Sequence, residues 1–247
     1  ILTPVVSYAG HAAKMRGIRE VFAIAVLALS GISLYQFAQG APGPVTVLRT
    51  DLGPLGSCLE IDALSILMAS LFILLGFLST VYSVKYMEHD TGQGEYYTLL
   101  LLMVAGMVGV AFAGDFFTFF LFWELMCITS YVLVAFRKTR WEPIEAGFKY
   151  LVMSSAGSAT VLFAMSILYG LTGSLNFAYL SSTLSGSPSP WSILALAMII
   201  MGLGVKAAMV PFHTWLPDAH PAAPSSISAM LSGVVIKTGV YGLVRIM

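Results

Sequence analysis

From Ala63 to Val84 the chain runs 22 residues without one charged side chain. A bilayer core of about 30 Å asks for a helix of about 20 apolar residues. Apolar segments of similar length recur at Val21–Phe37, Tyr96–Ala113, Phe116–Phe136, Tyr150–Leu171, Trp191–Val210 and Ser225–Met247, and Ile1–Gly10 reads as the tail of a further helix. Only 10% of the 247 residues are charged, whereas a soluble domain carries about 25%. The pattern predicts an all-α, polytopic transmembrane helix bundle of seven full spans and one partial span, multi-pass in the cell (plasma or inner) membrane. Ala38–Glu60, with Pro42, Pro44, Pro54 and several glycines, predicts a small hairpin. Thr172–Pro190 predicts a Ser/Gly/Pro loop, while His11–Glu20, Lys85–Glu95 and Arg137–Lys149 predict charged connections.

Alternate connections on one side carry Lys14, Arg16, Arg19, Lys85, Arg137, Lys138, Arg140 and Lys149, and the other side carries Arg49 and Arg245. The excess of lysine and arginine places the first set in the cytoplasm.

Charges within the spans point to function. Lys206 lies near the end of one apolar segment and Lys237 in the middle of the next. Between them stands a break, Val210-Pro-Phe-His-Thr-Trp-Leu-Pro-Asp-Ala-His-Pro-Ala-Ala-Pro224. An ammonium at bilayer depth costs about 2.5–3.5 kcal/mol on insertion scales, so such groups face a protein interior or a watery path. Irregular backbone at that depth obeys the same rule. Glu124 falls about 12 Å into its own helix. A carboxylate about 7 Å from a lysine, at an effective dielectric of about 20, favours the charged lysine by about 2.4 kcal/mol. Moving or neutralising Glu124 would then switch a lysine between holding and releasing its proton. His213 and His220 lie in the break, and histidine as a residue type can carry a proton, which suits proton passage to Lys206. Ser226, Gly233 and Lys237 share one face of an ideal helix, which predicts that Lys237 points into the bundle.

Each residue also has a plainer reading. Glu124 and Lys206 can form a structural ion pair that only joins helices. Lys237 can snorkel, and His213 and His220 can be ordinary hydrogen-bonding groups. Asp115, at a helix start, suits an N-cap. Lys149 suits either a solvated anchor or a point of proton uptake. The aromatic run Phe116–Trp123, and small pairs such as Ser154 and Ser158, suit packing.

Three stretches carry a resemblance. Asp115-Phe-Phe-Thr-Phe-Phe-Leu-Phe-Trp-Glu-Leu-Met126, Lys206-Ala-Ala-Met-Val-Pro-Phe-His-Thr-Trp-Leu-Pro-Asp-Ala-His220 and Lys237-Thr-Gly-Val-Tyr-Gly-Leu-Val-Arg245 resemble the antiporter-like membrane subunits. That family comprises the proton-translocating subunits of respiratory complex I, the Mrp cation/proton antiporters and the membrane-bound hydrogenases. Lys85-Tyr-Met-Glu-His-Asp-Thr-Gly92 and Ala219–Gly233 look most like the hydrogenase and Mrp branch. The resemblance implies a switching role for Glu124, a central proton-carrying role for Lys206, a relay role for Lys237 and an uptake role for Lys149. It implies a fold of about fourteen helices with two inverted five-helix repeats. Residues 1–95 would be the N-terminal transmembrane helices and loop, and residues 96–247 the first repeat, one half-channel with a broken helix near Lys206–Pro224.

Neutral net charge carries no nucleic-acid footprint. Cys58 and Cys127 and the four histidines are scattered, so neither a disulfide nor a metal site is expected. There is no cysteine cluster for iron–sulfur and no Gly-rich nucleotide loop. The expectation is a subunit with no cofactor of its own, moving H+ or exchanging it for Na+. Iron–sulfur clusters or quinone would belong to partner membrane subunits of a redox-driven complex. A gradient-driven Mrp-type antiporter and a non-transporting structural subunit are the alternatives.

Overall fold

The computed structural model describes residues 17–40, 45–49, 58–185 and 189–246. The expected first-helix tail, Lys14, Arg16 and the prolines of the hairpin region lie outside the described residues. The long helices are α1 (Ile18–Gly40), α2 (Ala63–Tyr86), α3 (Gln93–Phe112), α4 (Phe116–Val134), α5 (Trp141–Thr172) and α9 (Ser225–Ile246). These six are long and apolar enough to cross a membrane. Three shorter helices complete the described bundle: α6 (Phe177–Leu184), α7 (Pro190–Lys206) and α8 (Leu216–Ala222). Strands β1 (Val45–Arg49) and β2 (Cys58–Ile61) pair antiparallel, as the hairpin reading expected.

Several boundaries move for clear reasons. Arg19 and Glu20 belong to α1, with Glu20 in its first turn, where a carboxylate complements the helix dipole. Most of the expected Arg137–Lys149 connection is helix, because α5 begins at Trp141. Its Pro143 falls in the first turn, where proline is tolerated, and Lys149 pairs with Glu145 one turn back at 2.9 Å. At about 1.5 Å per residue this 32-residue helix reaches about 48 Å, so it overshoots the bilayer core. The Thr172–Pro190 loop holds α6, started by Asn176, whose side chain accepts from the Tyr179 N–H.

The expected span Trp191–Val210 is the true exception. Helix α7 stops at Lys206, four residues before the expected end, after 17 residues or about 26 Å. Its start is sharp, with Pro190 in the first turn and a reciprocal cap between Ser189 and Ser192. Its end is forced: Ala208 takes the left-handed conformation with φ 53°, and Met209 N–H turns back to the Gly204 carbonyl at 2.9 Å. The chain then winds through turns into α8.

Close helix approach sets where α7 ends. At the crossing of α5 and α7, a Cβ on Gly157 would lie 2.9 Å from the Gly202 carbonyl, and one on Gly202 would lie 2.6 Å from that of Gly157. Only two glycines permit this contact, and it carries the last turn of α7 against α5. The buried core is filled by Tyr96, Tyr97, Phe72, Phe119, Trp123, Tyr150, Trp215 and the methionines between them.

The connections divide into two ends. One, the basic end, holds Lys85, Arg137, Lys138, Arg140 and the break after Lys206. The other, the hairpin end, holds β1–β2, the α3–α4 link and α6.

Candidate functional site

Lys206 closes α7 and is 1% exposed. Its Nζ donates to Tyr150 Oη at 2.6 Å and to Ser130 Oγ at 3.0 Å. Those two oxygens lie 3.0 Å apart. Ser130 Oγ itself donates to the Cys127 carbonyl at 2.7 Å. The Cys127 thiol lies near this group and accepts from Ser154 Oγ at 3.7 Å. Of the three ammonium donors, a hydroxyl and a phenol receive two, so the surroundings that hold the charge are neutral. Nζ also sits 4.7 Å from the centre of the Tyr150 ring.

Tyr150 is pinned on one face by Trp215, with ring centres 4.0 Å apart and planes 8° from parallel. Trp215 is 1% exposed, and its Nε1–H donates to the Val205 carbonyl at 2.9 Å. That carbonyl belongs to the last turn of α7, where it also accepts from the Ala208 N–H at 3.2 Å. The indole thus caps the break and holds the phenol that holds the lysine.

Glu124 is partly buried, and its Oε1 is shielded from solvent without a hydrogen-bond partner. Among the described residues Lys206 has no ion pair, so the structural Glu124–Lys206 pair is not formed. The reason is axial distance. Lys206 meets α4 at Ser130, six residues or about 9 Å along the helix from Glu124. Cys127 lies between them, one turn from Glu124.

Lys237 does not point inward in this chain. It is exposed, and its Nζ donates to the Ser232 carbonyl at 2.7 Å. A π-turn over Leu231–Val235 explains the miss. Widening one turn to i→i+5 sets the helix back by about one residue, about 100° of rotation. Ser226 before the turn is buried, and Lys237 after it faces out.

Asp115 is 1% exposed and serves as a cap. Its Oδ1 accepts from the Thr118 N–H and its Oδ2 from the Cys58 N–H, both at 2.7 Å, so it fastens β2 to the start of α4. Lys149 stands half exposed at the basic end, 2.8 Å from Asp218 of α8 as well as 2.9 Å from Glu145. His220 Nδ1 shares a hydrogen bond with Ser228 Oγ at 2.7 Å. His213 is partly buried, and its Nδ1 has no partner.

A cleft of about 620 Å³ opens at the basic end between the start of α3 and the α4–α5 connection. Asp90, Glu95, Arg137 and Lys138 line it, together with Tyr131. Tyr131 meets Tyr150 edge-on at 5.7 Å. Two aromatic rings thus separate this cleft from Lys206.

Sequence reading missed Ser130, Tyr150, Cys127 and Trp215. One signal was available. Tyr150 opens an uncharged apolar run, and a phenol buried in such a run needs a polar partner.

Two family models match the chain. Residues 113–247, more than half of it, match the NADH:quinone oxidoreductase/Mrp antiporter transmembrane family. Residues 54–97 match the N-terminus of NADH-ubiquinone oxidoreductase (complex I) chain 5. The chain is 36% identical over 236 residues to NADH-quinone oxidoreductase subunit N of Desulforudis audaxviator, covering 94% of this chain and 46% of the relative. A chain of the membrane-bound sulfane sulfur reductase, an archaeal respiratory membrane complex, superposes with a TM-score of 0.89 at 31% identity, covering 99% of this chain and 50% of the other. A chain of the Mrp complex from Dietzia sp. DQ12-45-1b superposes with a TM-score of 0.83 at 26% identity, covering 99% and 46%. This chain therefore spans about half the length of the proteins it matches.

Proposed function

Because the chain belongs to the antiporter-like membrane-subunit family of NADH:quinone oxidoreductases and Mrp antiporters, we propose that it is the ion-translocating part of a redox-driven respiratory complex in the plasma membrane. Protons move through Glu124 and Lys206 and onward to Lys237. The observation that carries this reading is a fully buried lysine held by neutral groups alone, with an unpartnered glutamate oxygen on the same neighbouring helix. A lysine with a permanent carboxylate partner keeps its proton. One among neutral groups can lose it when a charge on the neighbouring helix changes.

Lys149, His213 and His220 stand at the basic end, which faces the cytoplasm in this reading, and supply protons toward Lys206. Lys237, exposed on this chain, hands them to a protein neighbour, since lipid contact in mid-helix would cost about 2.5–3.5 kcal/mol. Asp115 takes no part in transfer. Residues 96–247 form the half-channel. Electrons, iron–sulfur clusters and quinone belong to partner subunits, and the transported ion is H+, exchanged for Na+ where the complex runs as an antiporter.

The likeness to the Mrp complex supports a second reading, a subunit of a gradient-driven Na+/H+ antiporter. Purification of the native assembly in mild detergent separates the two: iron–sulfur companions mark the redox machine, and small hydrophobic companions alone mark the antiporter. In sealed vesicles, Lys206→Ala and Glu124→Gln each suppress ion translocation while the complex still assembles. Unchanged translocation in both variants would leave only a structural subunit.

A further inference from the structure

Two consecutive residues of α5 grip two residues one turn apart on the broken segment. Lys149 binds Asp218 at 2.8 Å, and Tyr150 stacks on Trp215 at 4.0 Å. Two consecutive residues of α7 close the circuit, with the Val205 carbonyl held by Trp215 and Lys206 held by Tyr150. The directions of the hydrogen bonds matter. Ser130 Oγ–H is committed to the Cys127 carbonyl, so Ser130 is left to accept. While Lys206 is an ammonium, Tyr150 Oη accepts from Nζ and its own hydrogen points to Ser130 Oγ. When Lys206 is an amine, Nζ has a lone pair, and the same phenol hydrogen can turn to it. The hydroxyl thus has two stable positions, one for each protonation state.

We propose that Tyr150 is a positioning residue whose hydroxyl switches between Ser130 and Lys206, and that its stack on Trp215 ties the proton on Lys206 to the conformation of the broken segment. The inference rests on the reading of Lys206 as a proton carrier. The phenol is held flat only while Trp215 is seated, and Trp215 is seated only while the segment from Ala207 to Ala222 keeps its path. Movement of that segment removes an acceptor from the ammonium and takes the indole donor from the Val205 carbonyl in one step. Conversely, loss of the proton weakens the 2.6 Å contact and loosens the segment. The titratable groups facing Lys206 are Cys127, Tyr131 and the more distant Glu124 on α4, and Tyr150 on α5. Among the described residues, Tyr150 alone of these touches the broken segment through a stacked ring.

The test uses the whole complex in sealed native vesicles. Tyr150→Phe keeps the ring and the stack but removes the hydroxyl. Its pH profile of translocation moves acidward by about one unit, a tenfold fall in proton affinity, which is what losing one hydrogen bond to a charged group gives. Trp215→Phe keeps the stack but removes the indole donor to the Val205 carbonyl, slows translocation severalfold and speeds amide exchange over 207–215. A measurement on the unaltered complex guards against misassembly: amide exchange over 207–215 rises with pH, and Lys206→Met abolishes that dependence. A wild-type pH profile in assembled Tyr150→Phe, or pH-independent exchange in the unaltered complex, overturns the switch. If Lys206→Ala translocates normally, the reading of Lys206 as a carrier falls, whatever Tyr150 does.

Discussion

The two ends of the bundle are closed by different chemistry. At the hairpin end the backbone does the fastening. Gly114 N–H donates to the Cys58 carbonyl at 2.9 Å, Phe116 N–H to Leu175 at 3.0 Å and Phe177 N–H to Gly114 at 3.2 Å. Asp115 caps that join, and Arg245 reaches across from the end of α9 to pair with Asp62 and Glu60. At the basic end the ties between elements are side chains: an indole on a carbonyl, a phenol on an ammonium, Lys149 on Asp218 and Arg137 on Asp90. A ladder of backbone bonds opens as a unit, whereas side-chain ties exchange partners one at a time. The difference assigns rigidity to the hairpin end and switching to the end that holds Lys206.

The largest expected break in that contrast is Lys206→Ala. It lowers translocation at least a hundredfold, about 2.7 kcal/mol of barrier, with little change in assembly measured by native gel. Asp115→Ala should do the reverse. It strands two buried N–H groups and costs about 2–3 kcal/mol in a denaturant titration, while turnover per assembled complex stays within twofold.

Arg245→Ala costs about 2 kcal/mol, less than breaking a fully buried pair, because Asp62 and Glu60 keep some solvent contact. This tie also has a pH sign. Burial pushes the Asp62 carboxyl up, but the Ser65 N–H and Arg245 outweigh it and hold the group below its ordinary value. Its contribution is therefore present above the usual carboxylate range, near 3.9, and fades as the pH falls below it. Melting of Arg245→Ala against the parent at pH 7 and in acid should show the gap narrowing.

The smallest effect sharpens the contrast from the switching side. Ala208→Gly removes the strain of a left-handed alanine and stabilises the protein by about 1 kcal/mol. Amide exchange around the break should slow if the strain helps the segment open. Unchanged exchange would mean that the strain plays no part in opening.

Hydrophobic run length alone determined that this is a membrane bundle, where most spans lie and that the chain breaks after Lys206, because the bilayer sets one length and proline and histidine interrupt it. The hairpin and the Asp115 cap were legible for equally local reasons: turn residues and a carboxylate just before an apolar run. Partners across helices were not legible. Periodicity orients a side chain about its own axis, but whether Lys206 meets Glu124 or Ser130 depends on how far α7 slides along its neighbours, and the contact of Gly157 with Gly202 fixes that slide against α5. Lys237 shows the limit most clearly. Its expected inward face assumed an unbroken helical period, and one π-turn adopted in tertiary packing rotated it to the surface.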